Sequence, residues 1–119
     1  MTTVDRISEQ SIHFAVVEYL DLFLDSKWRY THIPNGEHRD IRTAAKLKRM
    51  GVKSGWPDFI LVSPRGQTYF MELKRVGGRL SESQNDYRAW CIKLGIPYVV
   101  AYSLDEAIAA LKTWGCVRE

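Results

Sequence analysis

The stretch WPDFILVSPRGQTYFMELK, residues 56–74, sets an Asp before one apolar run and a Glu and a Lys at the end of the next. Phe59-Ile60-Leu61-Val62 is short, apolar and bounded by turn signals, as a buried strand is, and residues 67–74 supply its partner. Between them, Pro64-Arg65-Gly66 fits a three-residue hairpin loop, a type I turn closed by a Gly in the left-handed region. With Ser63 paired to Gln67, Asp58 falls opposite Glu72 and points to the same face. Opposed carboxylates in a sheet have Cβ atoms roughly 5 Å apart, and two such charges destabilise the fold unless a cation or a proton separates them. A hard divalent cation such as Mg²⁺ resolves the conflict. It takes oxygen ligands and keeps several waters, so two or three carboxylates leave positions for a phosphate and an attacking water. Lys74, two residues beyond Glu72 on the same face, is placed to orient or help deprotonate that water and to offset charge developing on the phosphorane.

The plainer reading is that Asp58 caps a turn while Glu72 and Lys74 form the polar end of a strand emerging into solvent, because such triplets arise often by chance. The elements around them bear on the choice. After Ser8, the residues Ile12, Val16, Leu20 and Phe23 recur at helical spacing, which predicts an amphipathic helix from residue 9 to about residue 25. Glu9 lies on the same stripe, whereas Glu18 falls on the opposite side. Residues 28–33 read as a short strand ended by Pro34-Asn35-Gly36, and residues 37–50 as a helix stopped by Gly51. Past a break at Gly77-Gly78, Ser81 and Gln84 have capping-box spacing, and a helix runs on to Leu94 with Gly95 after it. An apolar strand over residues 97–102 follows, then a last helix opened by Ser103 and Glu106 and closed by Gly115. This order predicts an α/β fold, with helices flanking a mixed central sheet of about four strands.

The 119 residues suit one domain, 1–119, with its own core. With 45% hydrophobic and 26% charged residues, the composition excludes a disordered or low-complexity chain. MTTVDRISEQ lacks the basic and apolar regions of a signal peptide, and no apolar run approaches membrane-spanning length, so a cytoplasmic protein without a membrane partner is expected. Cys91 and Cys116 match neither a metal-ligand pattern nor a disulfide framework and read as reduced bystanders. A net charge of +3 suits an anionic partner without naming one. Its distribution says more: six basic residues face one acid, Asp40, between Arg39 and Lys53. Arg39, Arg42, Lys46 and Arg49 fall along one helical face, a stripe that matches successive phosphates of a nucleic acid or, more plainly, a solvated helix face. Lys53 adds to this cluster, and Lys74, Arg75 and Arg79 form a second one.

GWPDFIL…ELK, with thirteen residues between Asp58 and Glu72, resembles the core of the PD-(D/E)XK nucleases, the restriction-endonuclease-like fold. Within that superfamily the chain is most similar to the VRR-NUC family. Glu9 early in the first helix, the IPN stretch at Ile33 to Asn35, and the LSESQ that opens a helix after the ExK strand match it too. The likeness runs from about Ser8 to Trp114. One departure is Trp56, where a smaller apolar residue is usual.

The resemblance implies that Asp58 and Glu72 ligate Mg²⁺ or Mn²⁺ together with the backbone carbonyl of Leu73, that Lys74 acts on the nucleophilic water, and that Glu9 contributes a further carboxylate. Gln84 matches the family's glutamine and is expected to support the site. Each outlying residue has a blander role. Glu9 favours the positive end of its helix, and Gln84 serves as capping partner of Ser81. His13, one turn after Glu9, is within reach of a site but reads as a structural residue. Trp28 and Trp90 read as core or interface residues. The resemblance also implies a stand-alone, phage- or bacterium-encoded enzyme akin to Holliday junction resolvases: a homodimer that cuts branched DNA and needs no small-molecule cofactor. The alternatives are a non-catalytic DNA-binding module on the same fold and a sequence-specific restriction-type endonuclease. A chain this small leaves little material for base readout, which counts against the second.

Overall fold

The computed structural model describes residues 7–34 and 40–118. Its elements are α1 (Glu9–Phe23), β1 (Arg29–His32), α2 (Ile41–Arg49), β2 (Phe59–Val62), β3 (Thr68–Leu73), α3 (Glu82–Leu94), β4 (Tyr98–Ala101) and α4 (Leu104–Trp114), in the expected order. Small polar side chains start the helices by accepting orphan backbone N–H groups. Ser8 accepts from Ser11, Ser81 from Gln84 and Ser103 from Glu106. The same rule corrects the expected helix over residues 37–50. Asp40 accepts from the Thr43 N–H at 2.7 Å, so α2 begins at Ile41. Asn35 and Arg39 lie outside the described residues. At the far end of α1, the chain leaves the helix at Leu24 and forms a bridge with Val117.

The sheet has the order β1-β2-β3-β4, antiparallel except for the parallel β3–β4 pair. The hairpin takes the expected register: Phe59 pairs with Met71 and Val62 with Thr68. Ser63 and Gln67 close it, with the Ser63 N–H donating to the Gln67 carbonyl at 2.9 Å and Gly66 at φ +82°. That φ is one that few residues besides glycine adopt readily.

Strand alternation divides the sheet into two unlike faces. Phe59, Leu61, Met71 and Leu73, all fully buried, belong to the core with Ile12, Val16 and Leu20 of α1 and Ala107 and Leu111 of α4. Trp28 joins this core, as expected, and its ring meets Tyr69. On the other face, Phe70 packs against Tyr87 of α3 and against Trp56. Trp90 is not core, being 48% exposed. Both cysteines are buried and free. The helix α2 buries no residue at all. Among the described residues no helix is long and apolar enough to cross a membrane.

Candidate active site

Glu72 stands on the α3 face of the central strand β3, where alternation sets it apart from its core neighbours Met71 and Leu73. Only 2% of it is exposed, and among the described residues it is the one charged side chain that is buried. Its Oε2 accepts from the Gln84 Nε2 at 3.1 Å and lies 3.8 Å from the Lys74 ammonium. Its Oε1 is buried with no partner. A buried carboxylate oxygen without a donor is costly, and a bound cation is one way to satisfy it. Burial raises the Glu72 pKa to about 8, and the neighbouring Asp58 charge adds to the rise while Lys74 opposes it.

Asp58 arrives from the loop before β2. The register places it across from Glu72, close enough for its charge to raise the Glu72 pKa. The backbone holds it from both sides. Asp58 Oδ2 accepts from the Leu73 N–H at 2.7 Å, and its carbonyl accepts from the Ile33 N–H at 2.7 Å and from His32 Nδ1 at 2.8 Å. The conflict between opposed carboxylates is therefore present. It is built on packed strands rather than on solvated side chains.

The loop in front of Asp58 is fastened to the start of α3. Gly55 is buried at φ +90°, and a Cβ there would meet the Ser83 carbonyl oxygen at 2.5 Å. Pro57 is fully buried, and Trp56 lies against Phe70 and Tyr87. The unusual Trp is thus a brace between the loop and α3.

Gln84 bonds to both Ser81 and Glu72. Its Oε1 accepts from the Ser81 N–H at 2.8 Å and completes the capping box, which leaves its amide nitrogen to donate to Glu72. Glu9, the first residue of α1, is exposed, and its charge also reaches Glu72, pushing the pKa upward. Lys74 is anchored through its backbone N–H to the Ala101 carbonyl at 3.0 Å, beside β4. The fold thus brings Glu9, Asp58, Glu72, Lys74 and Gln84 together. All the acidic donors are oxygens, and with the partnerless Oε1 they fit a hard divalent cation of the Mg²⁺ or Mn²⁺ kind.

The basic residues stand differently. Arg42, Lys46 and Arg49 share one exposed side of α2, around a hollow with Ala45 and Met50. Lys53, Arg75 and Arg79 are exposed as well, and Arg79 lines a groove along β4 with Arg88, Asn85 and Tyr98.

Two residues near the site escaped sequence reasoning. Tyr98 pairs with Phe70 across β3–β4, its buried hydroxyl has no partner, and its pKa is raised first by burial and then by the Glu72 charge. His32 donates to the Asp58 carbonyl. A strand–strand pairing between β1 and β2 brings it there, which no local pattern announces.

Comparison with known proteins follows the same lines. The family profile described as VRR-NUC domain matches residues 5–105. A solved structure described as a VRR-NUC domain protein superposes with a TM-score of 0.71 at 24% identity, covering 90% of this chain and 87% of that one. A second, described as a VRR-NUC domain, gives 0.61 at 18% identity, covering 89% and 96%. No curated protein matches the chain.

Proposed function

Since the chain belongs to the VRR-NUC domain family, which has a nuclease fold, we propose that it is a metal-dependent endonuclease that hydrolyses phosphodiester bonds in DNA. The observation that carries the reading is the buried Glu72 carboxylate, set against Asp58 with one oxygen lacking any partner. Asp58, Glu72 and the Leu73 carbonyl would hold Mg²⁺ or Mn²⁺, with Glu9 adding a further carboxylate. When bound, such an ion supplies positive charge that polarises a phosphoryl oxygen and eases the ionisation of water.

The chain's own residues do the rest. Gln84, locked by its capping bond, fixes Glu72 Oε2. The Leu73 N–H does the same for Asp58. Lys74 points its ammonium into the carboxylate cluster, where it can orient the attacking water, take part in its deprotonation and balance charge on the phosphorane. The exposed basic side of α2, with Arg75 and Arg79, offers phosphate contacts that read backbone rather than base sequence.

The preferred substrate is branched DNA such as a four-way junction or a flap, cut by a homodimer in the cytoplasm of a bacterial host. This finer part rests on the family's likeness to Holliday junction resolvases. A second reading, a DNA-binding module without catalysis, is favoured by the exposed basic side chains of α2, which can bind phosphates whether or not the acid cluster acts.

The deciding experiment is cleavage of labelled four-way junction, flap and linear duplex DNA in Mg²⁺, Mn²⁺ or EDTA by wild type and Lys74→Ala. Metal-dependent cutting of branched substrates, reduced by about 10²- to 10⁴-fold in the variant, is the expected result. Salt-sensitive binding with no cutting by either protein gives the answer to the binding module.

A further inference from the structure

Two imidazoles stand beside Asp58 that the reading above leaves unused. His13 comes from α1 and His32 from β1, and a ring nitrogen of each lies with an Asp58 carboxylate oxygen inside a span of 4.8 Å, all three residues being partly buried. This is a mixed nitrogen and oxygen donor set, unlike the all-carboxylate set around Glu72.

Both rings are held. His32 Nδ1 donates to the Asp58 carbonyl at 2.8 Å, which assigns the proton to Nδ1 and leaves the lone pair on Nε2. A backbone carbonyl on the second nitrogen is the arrangement that orients histidines for metal binding and raises their basicity. His13 stacks on the buried Phe59 ring, with centroids 4.7 Å apart and planes at 30°. It meets His32 edge to face at 4.5 Å and 85°. Tetrahedral ligation at about 2.1 Å puts ligand atoms about 3.4 Å apart, so small side-chain rotations bring the three donors together.

We propose that His13, His32 and Asp58 form a second cation site, suited to a borderline-soft first-row ion of which Zn²⁺ is the best match. Imidazole nitrogen selects such ions over Mg²⁺, which prefers oxygen and octahedral geometry. Because Asp58 is common to both sites, Zn²⁺ held by the histidines draws that carboxylate away from the Mg²⁺ position and slows Mg²⁺-dependent cleavage. The binding stands on the donor set alone; only its inhibitory consequence rests on the nuclease reading.

The test is calorimetric titration of metal-free protein with Zn²⁺, and visible absorption with Co²⁺ in its place, on wild type, His13→Asn, His32→Asn and Glu72→Gln, each checked for fold by circular dichroism. Wild type is expected to bind one Zn²⁺ tightly and to give with Co²⁺ the intense bands of a site with fewer than six ligands. Each His variant weakens Zn²⁺ by about tenfold or more and loses those bands, while Glu72→Gln keeps both. Either folded His variant suffices for the decision. Equal Zn²⁺ affinity in wild type and the His variants overturns the proposal. So does a loss in Glu72→Gln as large as in the His variants, because the ion then sits among the carboxylates. In cleavage assays with Mg²⁺, the His variants are expected to need about tenfold or more Zn²⁺ for the same inhibition. If wild type binds Zn²⁺ through the histidines yet never cuts DNA, the nuclease reading fails while this site stands.

Discussion

The carboxylate cluster at the β2–β3 end and the helix α2 are both rich in charge, yet the fold treats them in opposite ways. In the cluster, Glu72 is buried on a central strand, Asp58 is tied to the backbone of Ile33 and Leu73, and Lys74 is tied to Ala101. On α2 every charged side chain is exposed, and even Ile41 is 87% exposed. The first arrangement costs folding free energy, since like charges are confined out of water. The second costs almost nothing. Confined charges need a fixed counterion and suit chemistry, whereas solvated ones suit a partner that carries its own charge, such as a phosphate backbone.

Removing the confined charge should have the largest effect. A carboxyl with a pKa near 4.5 unfolded and about 8 folded binds more protons in the folded state across that interval. Metal-free protein should therefore lose stability as pH rises from 4.5 to 8 and level off above it, read as a falling Tm. Glu72→Gln should flatten that profile and abolish metal-dependent cleavage, and Mg²⁺ or Mn²⁺ should restore the Tm of wild type at the upper end. A wild-type profile that rises over the same range would dissolve the contrast between the two regions.

A smaller effect is expected where the loop before Asp58 is braced. Gly55→Ala forces a left-handed residue and a clash with the Ser83 carbonyl, so chemical denaturation should show a loss of about 1–3 kcal/mol. The smallest effect on stability belongs to α2. Replacing Arg42, Lys46 and Arg49 together by Ala should move unfolding free energy by no more than about 0.5 kcal/mol, because none of the three is buried. The same variant should bind DNA more weakly, with the slope of log affinity against log salt reduced by about three. A large loss of stability with an unchanged salt slope would make α2 a structural element.

The two regions also differ in how far the sequence foretold them. The hairpin register was readable because Pro64-Arg65-Gly66 admits few turns, and one register puts Asp58 across from Glu72. The start of α2 was not, since a helical pattern of charge does not reveal that Asp40 turns its side chain back to cap Thr43. The capping bond of Gln84 was legible in its spacing from Ser81, but only the three-dimensional structure shows that the same amide also donates to Glu72. His32 and Tyr98 were invisible for a common reason. Their places beside the site depend on β1 joining β2 and β4 joining β3, pairings that join segments far apart in the chain.

The central claim is that Asp58 and Glu72 hold the ion that makes cleavage possible, while binding resides elsewhere. Its most direct test is one junction substrate given to wild type and Asp58→Ala, with cutting measured in Mn²⁺ and in EDTA and binding measured alongside. Both proteins are expected to bind the junction with the same salt dependence, and only wild type to cut it, and only with metal. Equal metal-dependent cutting by Asp58→Ala would contradict it.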